Sequence, residues 1–270
     1  MTARGHRAAL VRRLQRLAAP ICLAALGACA IGTPGALRID AGHRAQGQSS
    51  RVDVLVLHYT SLGNDASLRV LTEQNVSSHY LITDEDRPKV YRLVDENRRA
   101  WHAGQSRWYE QVGLNATSIG IEIVNAGKQA DAWAPYSPAQ IQTLVLLLKD
   151  LIARHGIKPR NIVGHSDISI GRKIDPGPLF PWAELARQGI GRWYDEDRVR
   201  ELEQEFLRKG LPDAAWAQEH LRRLGYPAPR SGRWEAETTR VLAAFQMHYR
   251  PADFSGRPDA RTLAILAALP

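Results

Sequence analysis

Val52-Asp53-Val54-Leu55-Val56-Leu57-His58-Tyr59-Thr60 is an almost unbroken run of β-branched and aliphatic residues that stops at a histidine. A run apolar on both faces predicts a strand buried in a parallel sheet that helices cover. Residues 79–83 and 89–93 predict two more strands, joined by the polar turn Asp84-Glu85-Asp86. Along residues 118–125 the side chains alternate, with Ile119, Ile121 and Ile123 on one face and Gly120, Glu122 and Val124 on the other. From Ser137 the period becomes helical. Ser137 stands as N-cap, Pro138 suits the first turn, Gln140 completes a capping box and Gly156 ends the helix. Ile141, Leu144, Val145, Leu148, Leu151 and Ile152 form one stripe for packing on a sheet. A short strand over residues 161–164 then runs into His165. Strands interleaved with helices predict an α/β domain, a mixed central sheet flanked by helices, over residues 51–190.

Past residue 190 the composition shifts. Residues 195–209 are charged with few apolar side chains, which predicts a helical connector within 191–211. Residues 212–270 predict three short helices around Trp216, Leu221, Leu224, Val241, Phe245, Leu263 and Leu266, a second, small all-α domain.

The opposite end has a different build. Residues 1–28 carry Arg4, Arg7, Arg12, Arg13 and Arg16 and no acidic residue, followed by an apolar run from Leu17 broken by Pro20. That run is too short to span ~30 Å of hydrocarbon and reads as a signal peptide over residues 1–28. It closes on Leu26-Gly27-Ala28-Cys29, which resembles a bacterial lipoprotein signal with Cys29 as the lipidated residue; a plain signal peptide is the alternative. Ala30, where an aspartate would favour the inner membrane, implies by the same resemblance the periplasmic face of an outer membrane. Residues 29–50, rich in Gly, Ala, Gln and Ser, predict a flexible tether.

The formal charge of +8 invites a nucleic-acid partner, but its distribution argues against one. The 36 basic residues less those five leave 31 against 28 acidic, a net of +3 outside the leader. Cysteine usage is equally restrictive. Cys22 leaves with the signal and Cys29 takes lipid, so a catalytic metal in the mature chain must be held by histidine and carboxylate.

Strand ends in α/β domains are where side chains meet a cleft. His58 ends the first strand and His165 follows the last; ten residues on comes Lys173-Ile174-Asp175-Pro176-Gly177. In an extended segment Lys173 and Asp175 would point to one side and Ile174 to the other. Two imidazoles and a carboxylate can hold a catalytic zinc with one open position. Glu122, a carboxylate within an apolar strand, qualifies as the base beside it, and Lys173 as the cation for a developing oxyanion. Each residue also has a plainer reading. A strand-end histidine is ordinarily structural, Asp175 could initiate a turn, Glu122 could pair with a basic neighbour, and Lys173 could be solvated.

Taken together, Leu57-His58-Tyr59-Thr60, Ser78-His79-Tyr80-Leu81-Ile82, Ala100-Trp101-His102-Ala103-Gly104, Ile119-Gly120-Ile121-Glu122, Gly164-His165-Ser166-Asp167 and Lys173-Ile174-Asp175-Pro176-Gly177 resemble the type 2 N-acetylmuramoyl-L-alanine amidases. The resemblance covers residues 51–185 with the motifs in the family's order. It implies a zinc enzyme that hydrolyses the amide between (anhydro-)N-acetylmuramic acid and L-alanine in peptidoglycan turnover or recycling. It implies zinc bound by His58, His165 and Asp175, with Glu122 and Lys173 assisting catalysis. Trp101 and His102 are expected to line the substrate cleft, though packing would also explain Trp101; Tyr59 and Asn115 are expected to touch glycan or peptide. An aspartate as third ligand, where phage and animal members use cysteine, resembles the bacterial recycling and lipoprotein branch. Residues 221–226, 237–238, 244–246 and 259–263 resemble a helical peptidoglycan-binding domain, with Arg233 and Trp234 where that family usually has Asp-Gly. The implied partners are peptidoglycan, muropeptides and a lipid bilayer reached through acylated Cys29. A non-catalytic receptor on the same fold is the rival reading; such receptors typically lose a ligand, and all three positions are filled here.

Overall fold

The apolar run after Val52 becomes the middle of a sheet because it finds apolar cover on both faces. The computed structural model describes residue 37 and residues 39–270; the basic leader, Cys22 and Cys29 lie outside the described residues. The chain divides into two units, Met1–Gly47 and Gln48–Pro270. In the first, residues 39–47 are exposed and form no helix or strand. No helix among the described residues is long and apolar enough to cross a membrane.

The second unit starts with β1 (Val54–Tyr59) and α1 (Asn64–Glu73), followed by the antiparallel pair β2 (Tyr80–Ile82) and β3 (Val90–Arg92). The small hairpin of β4 (Arg107–Trp108) and β5 (Gln111–Val112) precedes β6 (Ser118–Ile123). A second hairpin, β7 (Lys128–Gln129) with β8 (Ala132–Trp133), leads to α2 (Pro138–His155). Then come β9 (Ile162–Gly164), the single turn α3 (His165–Ile168) and α4 (Trp182–Arg187). Four helices complete the chain: α5 (Glu196–Lys209), α6 (Ala214–Arg223), α7 (Ala236–Tyr249) and α8 (Ala260–Ala268).

Five strands form one mixed sheet in the order β3-β2-β6-β1-β9, parallel except for the β2–β3 pair. Its register places Val56 between Gly120 and Val163; one step on, Leu57 lies opposite Gly164, and two steps on, His58 lies opposite Glu122. Helix α2 covers one face. Its capping box is formed: Ser137 Oγ accepts from the Gln140 amide at 3.1 Å, and Gln140 Oε1 accepts from the Ser137 amide at 3.1 Å. Gly156 closes it in the left-handed conformation at φ 69°. Ile141, Leu144, Leu148 and Leu151 pack on Leu55, Leu57, Ile119, Ile121 and Ile123. Each such buried side chain contributes about 1.5–3 kcal/mol over an exposed one.

The other face of β1 is covered from the far end of the chain. Val54, Val56 and Val163 share one apolar cluster with Trp108, Leu114, Leu221, Tyr226, Val241 and Phe245. The helical residues 196–270 therefore complete the core of the sheet. Helix α5 belongs to that core: its Val199 and Leu202 are buried, and Arg261 of α8 pairs with its Glu196 and Glu203. Its few apolar residues lie on one face, which its composition alone does not reveal.

Polar bonds reinforce the junction. Asp167 of α3 is fully buried and accepts from the Gly164 amide (2.7 Å), the Tyr226 hydroxyl (2.7 Å) and His248 Nδ1 (2.8 Å). Removing one donor leaves a buried carboxylate oxygen short of a partner, a loss of about 1–3 kcal/mol. Tyr226→Phe is accordingly expected to lower the unfolding free energy by that amount, read as a lower urea midpoint with an unchanged denaturant slope. An unaltered midpoint would show that the hydroxyl contributes nothing to the junction.

Candidate metal centre

The parallel register determines what meets at the C-terminal edge of the sheet. His58 is the penultimate residue of β1 and, by strand alternation, shares the Val54–Val56 face. His165 opens α3 directly after β9, the neighbour of β1. Asp175 arrives on the following loop, which is tied back where the Ser166 amide donates to the Asp175 carbonyl at 2.8 Å. The three side chains are buried and form a small triangle. His58 Nδ1 lies 3.0 Å from His165 Nδ1 and 2.9 Å from Asp175 Oδ2, and His165 Nδ1 lies 3.0 Å from the same oxygen.

These residues could hold a metal ion. Ligand bonds of ~2.0–2.1 Å at the tetrahedral angle separate neighbouring donor atoms by about 3.3 Å, close to the edges seen here. The donor set, two imidazoles and a carboxylate, is also that of a catalytic site with one coordination place for water or substrate.

Electrostatics fit the same reading. Burial, then the nearby His165, lowers His58 to about 4, so its imidazole is neutral at pH 7 and has a lone pair to give. Burial pushes Asp175 up, but the His165 and His58 rings beside it outweigh burial and hold the carboxyl well below the usual carboxylate range. Glu122 goes the other way. Burial and then the Asp175 charge push it up to about 8, with Lys173 pulling slightly down. Its Oε1 is 4.0 Å from His58 Nδ1, and its buried Oε2 has no hydrogen-bond partner among the described residues.

A cavity of about 350 Å³ opens over this cluster, lined by His58, Glu122, His165 and Asp175 and also by Tyr59, Trp101, His102 and Lys173. Trp101 is 53% exposed at its rim. Lys173 is exposed there, yet near enough for its charge to act on His58 and Glu122. Lys173 and Asp175, expected on one side of the segment, both line the cavity. Ile174 lines it as well, and residues 173 and 174 lie between turns at 170–172 and 175–176. Asn115 is placed elsewhere. Its Oδ1 accepts from the amides of His102 (3.1 Å) and Ala103 (2.7 Å), so it braces the loop behind the cavity and does not line it. His102 lines the cavity but is also bonded to His58, Nδ1 to Nε2 at 3.1 Å.

Sequence reasoning passed over Arg172, which lines the cavity and whose guanidinium donates to the Ala103 carbonyl (2.7 Å), and the apolar rim residues Leu62 and Val76. Arg172 adjoins Lys173 in a motif, which is a local signal. The rim residues have none, because their role depends on where α1 packs.

The chain is similar to known proteins in sequence and fold. Residues 48–178 match the N-acetylmuramoyl-L-alanine amidase family and residues 210–266 a peptidoglycan binding domain family. The chain is 46% identical to the N-acetylmuramoyl-L-alanine amidase AmiD of Escherichia coli over 245 residues, 86% of this chain and 87% of that one. Among solved structures, AmpDh3 from Pseudomonas aeruginosa in complex with anhydromuramic pentapeptide matches with TM-score 0.81 and 42% identity, covering 87% and 98% of the two chains. AmiD from E. coli, in complex with anhydro-N-acetylmuramic acid-L-Ala-D-γ-Glu-L-Lys, matches with TM-score 0.77 and 44% identity over 88% and 95%.

The Glu122 shift has a measurable consequence in the metal-free protein. The folded state keeps the Glu122 proton to about 8, whereas the unfolded chain releases it near 4.5. Between those values folding takes up a proton, so the wild type loses stability as pH rises. Glu122→Gln lacks this penalty. After chelation its stability advantage over wild type is expected to grow from pH 4.5 to pH 8, to on the order of a few kcal/mol. A pH-independent difference in melting would rule out a buried, proton-retaining Glu122.

Proposed function

The chain belongs to the N-acetylmuramoyl-L-alanine amidase family, and from that premise we propose that it is a zinc enzyme of the bacterial cell envelope. It cleaves the amide between (anhydro-)N-acetylmuramic acid and the L-alanine that begins the peptidoglycan stem peptide. The buried triangle of His58 Nδ1, His165 Nδ1 and Asp175 Oδ2 carries the reading. Those three atoms would hold the ion. Zinc bound there would acidify a water and polarise the scissile carbonyl.

The chain's own residues do the rest. Glu122 offers its unpartnered Oε2 as the base that takes the proton of the attacking water and returns it to the leaving amine. Burial makes this carboxylate basic, and a nearby dication draws it back toward neutrality. The Lys173 ammonium at the cavity wall faces the negative charge that develops on the carbonyl oxygen. Exposed Trp101 offers a flat apolar surface for a sugar ring, with Tyr59 and His102 on the adjoining walls. Asn115 serves the substrate indirectly, through the loop it braces.

Residues 51–190 form the catalytic domain, 191–211 a helical connector, and 212–270 a module that binds the wall; its match to a peptidoglycan binding domain family supports this. A signal peptide over residues 1–28, a lipid on Cys29 and a tether over 29–50 would hold the enzyme at the periplasmic face of the outer membrane, with muropeptides and peptidoglycan as partners. The Leu26-Gly27-Ala28-Cys29 sequence supports the anchor.

Glu122→Ala is expected to retain zinc at wild-type stoichiometry while losing about 10²–10⁴-fold in release of stem peptide from muropeptides. His58→Ala, His165→Ala and Asp175→Ala are expected to lose the metal as well. Metal content by mass spectrometry beside peptide release reads both. A Glu122→Ala enzyme of wild-type rate removes Glu122 from the mechanism, and undiminished zinc in all three ligand variants removes the metal site.

A further inference from the structure

Each histidine of the triangle is held through the nitrogen that faces away from it. His165 Nε2 lies 3.2 Å from the Ala103 carbonyl oxygen, which can only accept, so Nε2 carries the hydrogen and Nδ1 is bare. Arg172 Nη2 is also 3.3 Å from this nitrogen, but its two hydrogens have nearer acceptors in the Ala103 carbonyl and Ser169 Oγ, both at 2.7 Å.

His58 is ordered by a longer chain. Ser118 Oγ donates its single hydrogen to the Leu114 carbonyl at 2.6 Å, which leaves its lone pairs for His102 Nε2–H at 3.1 Å. His102 Nδ1 is then bare and accepts from His58 Nε2–H at 3.1 Å. His58 Nδ1 is left without a hydrogen, aimed at His165 and Asp175.

Three bare acceptor atoms 2.9–3.0 Å apart repel one another unless a cation sits among them. The loop that imposes this state is itself built for it. Asn115 Oδ1 holds the 102 and 103 amides, and Gly120 makes room for the imidazole, since a Cβ there would fall 2.4–2.6 Å from its ring atoms.

We propose that His102, seated by Asn115 and Gly120 and polarised through Ser118, is a positioning residue that locks His58 in the tautomer able to bind the metal. This rests on His58, His165 and Asp175 being the ligands. Ligand histidines generally donate their second nitrogen to a carbonyl or carboxylate; here a third imidazole takes that place for one of the two.

The test is zinc affinity, measured on the purified protein by competition with a chromogenic chelator, with circular dichroism to confirm folding. His102→Leu fills similar space without an acceptor, and its affinity is expected to fall about 10–100-fold. His102→Asn sets an amide oxygen near the position of Nδ1 and is expected to recover most of the loss, which a purely steric role would not allow. Ser118→Ala leaves the ring in place and removes only the hydroxyl that orders it; a several-fold loss is expected.

Wild-type affinity in His102→Leu overturns the proposal, as does failure of His102→Asn to bind better than His102→Leu. Should His102→Leu not fold, Ser118→Ala decides, and unchanged affinity there overturns it. His58→Ala in parallel keeps the two readings separate: if it binds zinc as tightly as wild type, the ligand assignment fails and the positioning role with it, whereas loss of zinc in His58→Ala beside wild-type affinity in His102→Leu overturns the positioning role alone.

Discussion

The lateral register of three parallel strands is the constraint on which the site depends. β1 lies between β6 and β9, with His58 opposite Glu122 on one side and Leu57 opposite Gly164 on the other. One residue beyond Gly164 is His165. Three residues spread over more than a hundred positions of the chain thus become neighbours along one sheet edge. A slip of one residue would turn His58 into the α2 core and bring Leu57 into the cavity. The apolar alternation prevents it, because Leu55 and Leu57 fit only against Ile141, Leu144 and Leu148 of α2. The same side chains that stabilise the sheet fix where the chemistry sits.

That position is electrostatically unfavourable for an ordinary protein interior. Two carboxylates and three imidazoles share a buried cluster, and the environment drives the carboxylates apart. Asp175 is held ionised by two imidazoles, while Glu122, lacking a donor, retains its proton toward pH 8. Such divergence between neighbouring carboxyls separates a ligand from a base. Burial also holds His102 well below the usual histidine range, with His58 and His79 adding to the effect, so it stays neutral and able to accept. The surrounding apolar core supplies the stability that this cluster does not.

Much of this was legible in the sequence because the signals were local. Ser137, Gln140 and Gly156 mark the ends of α2 by capping chemistry, and the alternation of residues 118–125 sets Glu122 apart from its isoleucine neighbours. His58, His165 and Asp175 could be grouped because each sits at a strand end or in a recognisable motif. Asn115 misled for a physical reason. A polar residue near a cleft has no sequence feature to distinguish touching the ligand from bracing the loop that does, and only the fold shows its Oδ1 beneath the 102–103 peptide.

The least legible feature was how closely the C-terminal helices are joined to the sheet. A charged segment such as α5 and a small helical module suggest an appendage on a tether. Yet Tyr226 and His248 donate to Asp167, and the amide that shares this carboxylate belongs to Gly164, directly before His165. His248 also stacks on Trp182, 3.9 Å between ring centres, and Tyr226 packs edge-on against Trp108. A Cβ at Gly164 would approach Pro176 to 2.6 Å, so the backbone between β9 and the Asp175 loop has little room to shift. Disturbance of the helical layer therefore has a short, stiff route to a ligand, through Asp167 and one turn of backbone. A residue pattern that looks like a separable wall-binding module is, in physical terms, part of the wall that holds the metal site in place.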